Sequence, residues 1–72
     1  MYEQLLASVK HAKNKRLSNL IVDTEALPPL FMETLGFDNK SNGRYALNTK
    51  KYEEAIIILE EIIKGVHTLK LL

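Results

Sequence analysis

Apolar positions recur at steps of three and four residues over much of this chain, most regularly toward its C-terminal end. Tyr52, Ala55, Ile56, Leu59, Ile62, Ile63 and Val66 fall on one stripe of a helix predicted from Asn48 to Gly65. Glu53, Glu54, Glu60, Glu61 and Lys64 occupy the other side, where water keeps them charged. Asn48 or Thr49 caps its first turn, and Gly65 is the expected stop. Ile57 breaks the pattern by falling among the glutamates, which makes it a candidate interface residue; Ile58 widens the apolar flank.

The same spacing predicts a first helix from Tyr2 to Asn14, with Tyr2, Leu5, Leu6, Val9 and Ala12 inward. Glu3 near its start and Lys10 and Lys13 near its end suit the helix dipole, and Asn14 is the expected left-handed terminator. Lys15 to Asp23 reads as a short helical turn or irregular segment, although Leu20-Ile21-Val22 would equally suit a buried strand. Pro28-Pro29 tolerates only a first helical turn, so the next helix is expected from Pro28 or Pro29. Its inner face is read as Leu27, Leu30, Phe31 and Leu35, with Thr34 at the edge. Gly36 stops it, and Phe37 folds back on its last turn.

From Phe37 the period changes. Asn42-Gly43 is a tight-turn signal, and it predicts a hairpin with strands near Gly36–Asn39 and Arg44–Leu47. Residues 66–72 fit either a continued helix or a third strand. The fold class expected is α+β and mainly helical: three helices, plus a possible short turn of helix, packed with a small β-hairpin in a single domain of residues 1–72.

Composition narrows the chemistry. With 72 residues and no cysteine, stability rests on apolar burial alone, with about 3–5 kcal/mol to spare. No apolar run reaches membrane-spanning length, and the N-terminal residues lack the marks of a secretory signal, so a cytoplasmic or nuclear setting is expected. The net charge is +1, yet Lys10, Lys13, Lys15 and Arg16 cluster ahead of an acidic final helix. His11 and His67 stand far apart without ligand-type neighbours, so no metal or other cofactor is expected. The glutamate pairs lie on a solvated face, unsuited to acid–base work, and an enzyme is not expected. Asn39-Lys40-Ser41 matches a glycosylation sequon, taken as coincidence without a secretory route.

Three features carry a resemblance. Lys13-Asn14-Lys15-Arg16-Leu17-Ser18-Asn19 resembles a basic segment leading into an Arg-[Ile/Leu]-[Gly/Ser]-Asn signature. Ala26 to Phe37 resembles a helix ending in a hydrophobic-Gly-Phe triplet, here Leu35-Gly36-Phe37. A short hairpin and a long amphipathic helix follow in the same order. Together, over about residues 2–64, these features resemble a shortened PUB (PUG) domain, as in peptide:N-glycanase, without that family's leading helix.

The resemblance implies a peptide-binding adaptor for the C-terminal tail of a hexameric AAA ATPase, valosin-containing protein, or for a short internal motif in other partners. It places Asn19 as the pocket asparagine, Lys13 and Arg16 as a basic rim, and Gly36 and Phe37 as pocket lining, with the phenyl ring stacking on an aromatic anchor. Two other readings stay open. One is a nucleic-acid-associated protein using the Lys10–Arg16 cluster on phosphates. The other is a small regulatory or phage-type effector that docks on a host protein through Ile57 and the tail.

Overall fold

The computed structural model describes the backbone of residues 2–71 and the side chains of residues 2–65. Its elements are α1 (Tyr2–Asn14), β1 (Asn19–Asp23), α2 (Pro29–Thr34), β2 (Asp38–Ser41), β3 (Arg44–Asn48) and, after a 3-10 turn over Thr49–Lys51, α3 (Tyr52–Leu71). The fold is α+β and mainly helical: three helices packed with a three-stranded antiparallel sheet in the order β1-β3-β2.

The expected hairpin is β2–β3, but the sheet has a third strand. Lys15 to Asp23 does not make a helical turn there: Asn19–Asp23 is β1, paired along its whole length with β3 from Asn19–Asn48 to Asp23–Arg44. Side chains alternate across it, with Leu20 and Val22 half-buried against the helices and Asn19, Ile21 and Asp23 exposed on the open face. Tyr45 and Leu47 of β3 join the inner set. Val9, Ala12, Met32, Leu47, Ala55 and Leu59 are fully buried and form the centre of the core. Tyr2 and Phe31 close one end of it, with ring centroids 5.4 Å apart.

Helix ends follow local chemistry, with two departures from expectation. α2 ends as predicted. The Phe37 N–H donates to the Met32 carbonyl at 3.1 Å and the Gly36 N–H to the Glu33 carbonyl at 3.0 Å, with Gly36 at φ +104°. α1 ends in the same pattern, but on Arg16 rather than Asn14. Leu17 donates to Ala12 and Arg16 to Lys13, each at 3.1 Å, and Arg16 takes φ 56°. Asn48 caps as expected, its Oδ1 accepting the Lys50 N–H at 3.0 Å. Gly65 does not stop α3, whose backbone continues to Leu71. The continued-helix reading of the tail therefore holds through that residue. Leu72, and the side chains of Val66 and the rest of the tail, lie outside the described residues.

The inner face of α2 also needs correction. Leu30, expected on it, points to water at 76% exposure, while Met32 and Leu35 turn into the core, because packing against the sheet and not the apolar spacing of so short a helix sets its inner side.

Candidate functional site

β1 brings two of the sequence-predicted site segments to one end of the sheet. Asn19 begins β1 and stands opposite Asn48, the last residue of β3. On the other side of β3, Gly36 ends the turn before β2, where an added Cβ would meet the Lys51 stem and the Leu47 side chain. Asn19 and Asn48 thus form one row across two strands, at the end where the chain enters β1 and leaves β3. The Thr49 N–H donates to the Ser18 carbonyl at 2.9 Å and locks the two flanking loops together. A second clasp crosses the same loops, where the Tyr52 hydroxyl donates to the Leu17 carbonyl at 2.8 Å. Burial raises the Tyr52 pKa above its ordinary 10.0, so the hydroxyl stays protonated and able to donate.

The ladder between β1 and β3 has a definite phase. Thr24 bonds Gly43 at 2.7 Å at one end and Thr49 bonds Ser18 at the other. Because hydrogen-bonded and non-hydrogen-bonded pairs alternate, Leu20 and Val22 are the β1 residues bonded to β3. Asn19–Asn48 is then a non-hydrogen-bonded pair, whose Cα atoms approach to about 4.5 Å. Both side chains sit on the open face. Asn48 uses only its carbonyl oxygen, and neither amide NH2 group has a protein partner among the described residues.

Four cations border this row: Lys15 and Arg16 before β1, and Lys50 and Lys51 after β3. None has an ion partner among the described residues. Lys13, expected in the basic rim, instead binds Glu53 at 3.1 Å, and Lys10 binds Glu60 at 3.4 Å. Half the predicted basic cluster is therefore directed at α3, in exposed pairs that contribute at most about 1 kcal/mol each.

The remaining predicted residues are placed differently. Phe37 is 3% exposed within the core, so its ring supports the sheet end from beneath and presents no face to a ligand. Gly36 is crossed by the Lys51 stem, whose Cδ would lie 3.1 Å from an added Cβ. Ile57 is 58% exposed, as its helical position predicts. With Leu6, Glu60, Glu61, Ile63 and Lys64 it lines a depression of about 580 Å³ between α1 and α3, on a different part of the surface from the asparagine row. Asn48, Lys50 and Lys51 were not anticipated, because their approach to Asn19 depends on recognising β1 as a strand.

Among the described residues no cluster of three histidine, aspartate or glutamate side chains could hold a metal ion, and no helix is long and apolar enough to cross a membrane. No family model matches the chain, and no curated protein or solved structure is significantly similar to it.

Proposed function

We propose that the chain is a non-enzymatic protein-interaction module that holds an acidic peptide, such as a C-terminal tail, at the Asn19–Asn48 end of the sheet. The observation that carries this reading is the strand register, which sets two side-chain NH2 groups without protein partners side by side, with Lys15, Arg16, Lys50 and Lys51 around them. The amides hydrogen-bond an extended peptide backbone, and the cations attract and orient its carboxylates. Few desolvated contacts carry affinity in such a site, while the rim charges set association rate and salt dependence.

Arg16 adds support. It holds a left-handed backbone that costs an L-residue about 1–2 kcal/mol, at a position where glycine would be unstrained. The resemblance to PUB domains supplies the partner class, the tail of an AAA ATPase in the cytoplasm or nucleus. In this reading Asn19 and Arg16 keep the roles the family implies, Asn48, Lys50 and Lys51 join them, and Phe37 acts from below. The nucleic-acid reading loses Lys10 and Lys13 to their glutamate partners and retains only Lys15 and Arg16 of its original cluster.

Titration with acidic, aromatic-containing C-terminal peptides, followed by amide chemical shifts, tests the proposal. Shifts are expected at Asn19, Asn48 and Lys50, with affinity about tenfold weaker in Arg16→Glu. A titration that leaves those amides unmoved rules the site out for the peptides tried. Equal affinity for acidic and neutralised peptides would remove the role assigned to the cations.

A further inference from the structure

The two edges of the sheet are built differently. β2 reads Asp38-Asn39-Lys40-Ser41, is exposed throughout and carries a register irregularity between Asn39 and Ser41. Charge and irregular register are the usual protections of an edge against further pairing. β1 has neither a bulge nor a proline nor an inward charge, and its three central residues are Leu20, Ile21 and Val22. The ladder phase makes its outer side available: Leu20 and Val22 spend their backbone groups on β3, so Asn19, Ile21 and Asp23 direct theirs away from the sheet. Among the described residues these groups have no hydrogen-bond partner.

We propose that two copies of the chain pair antiparallel through β1, on a two-fold axis at Ile21, into one continuous six-stranded sheet. The segment is self-complementary in this register. Ile21 faces Ile21 of the second copy, and Asn19 faces Asp23 on each side of the axis. Three residue pairs exchange two backbone bonds each, so all the outward N–H and C=O groups of the strand are satisfied. Side-chain pairing agrees with the backbone. On the open face Ile21, 54% exposed, gains an aliphatic neighbour, and each asparagine amide meets a carboxylate rather than a like charge.

On the helix side, Leu20 of the second copy stands opposite Val22. There a depression of about 220 Å³, lined by Gln4, Leu5, Ser8, Val22, Thr24 and Leu27, runs beside the edge and receives it. Gln4, Ser8 and His11 share one face of α1 by their spacing, and no carboxylate or lysine shares it over those residues, so the two first helices meet without opposed like charges. This pairing goes beyond the peptide site. It rests on the outward backbone of β1, whereas that site rests on Arg16, Lys50 and Asn48, and the two share only the Asn19 side chain.

Sedimentation of the full chain from micromolar to millimolar concentration, combined with amide hydrogen exchange, tests the proposal. A concentration-dependent dimer is expected, in which the Ile21 amide slows while Leu20 and Val22, already bonded to β3, do not change. Ile21→Lys points a charge outward from an exposed position and leaves the core untouched, so its circular dichroism should match the parent. Two such lysines face each other across the axis, and dissociation should strengthen about tenfold or more. Mixing Ile21→Lys with Ile21→Glu should restore the dimer as a heterodimer.

A chain that stays monomeric throughout overturns the proposal. So does a dimer that survives Ile21→Lys unchanged, which would move the interface elsewhere, for example to the Ile57 face. A dimer with an unprotected Ile21 amide, or an equimolar mixture of the two variants that remains monomeric, is equally fatal. Loss of peptide binding in Arg16→Glu with dimerisation intact would separate this inference from the proposed function.

Discussion

Tyr52→Phe isolates one hydrogen bond that joins three parts of the fold. The ring is 1% exposed, and its hydroxyl reaches the Leu17 carbonyl at 2.8 Å, pinning the α1–β1 loop to the first turn of α3. The phenylalanine ring fills the same space, so packing is kept and only the bond is lost. A neutral hydrogen bond contributes about 1 kcal/mol net. Leu17 is 43% exposed, so its carbonyl can be rehydrated and the cost stays near that figure. For 72 residues the unfolding entropy is about 0.15 kcal/mol/K, which converts the loss to a Tm decrease of about 7 °C.

The pKa direction adds a second signature. Burial raises the folded-state pKa of Tyr52 above the unfolded 10.0, so its contribution is complete below pH 10 and is lost as pH rises through the folded value. Paired melts of wild type and Tyr52→Phe by circular dichroism should therefore differ by a constant amount below about pH 10 and converge as the pH rises from there through the folded value. A wild-type advantage that persists undiminished at the highest pH, or a variant that melts with the wild type at pH 7, would refute the reasoning.

Met32→Ala should cost about 2–5 kcal/mol, most of the ~3–5 kcal/mol a core of this size has to spare, and so move the urea midpoint steeply toward zero. Leu30→Ala, two residues away at an exposed position, should stay within about 0.5 kcal/mol. Gly36→Ala and Gly43→Ala should both lower the urea midpoint, because φ is +104° and +78° at these positions. The loss should be larger at Gly43, where an added Cβ meets the Thr24 backbone oxygen at 3.0 Å, than at Gly36, where it meets the flexible Lys51 stem. Arg16→Gly should raise stability by about 0.5 kcal/mol, by relieving the left-handed arginine against the greater backbone freedom of glycine. The same change should weaken peptide binding, and a melt and a titration on one sample check both.

The parts of the fold legible in the chain are those whose signal is local. α1 and α3 declare themselves by long apolar stripes. The β2–β3 turn is marked by Asn42-Gly43, and the end of α2 by Leu35-Gly36-Phe37. β1 is ambiguous in the sequence because Leu20-Ile21-Val22 is a short unbroken apolar run that suits a helical turn and a buried strand alike. What makes it a strand is pairing with β3, whose partner residues lie 21 to 29 positions further along the chain. Leu30 is expected inside and Met32 lies there instead, because a helix of 6 residues has too few apolar positions to define a face, and its packing against the core sets which side turns inward. Gly65 reads as a stop, but a glycine inside a helix costs only about 1 kcal/mol and the backbone of α3 runs on to Leu71. The candidate site was half visible for the same reason as β1. Arg16 and Asn19 could be named, but the neighbouring amide and lysines from the end of β3 arrive only through the sheet.

The docking of α1 on α3 also dictates when this chain can fold as it is made. Lys13 and its partner Glu53 are 40 residues apart, and β1 likewise waits for β3. At a synthesis rate of about 5–20 residues per second, α1 emerges from the ribosome about 2–8 s before the helix that covers its apolar stripe. Of the two strand pairs, β2–β3 is the one that forms from adjacent chain. Leu5, Val9 and the β1 backbone groups that β3 will bond stay open to chaperones, or to neighbouring nascent chains, until β3 and then α3 have emerged.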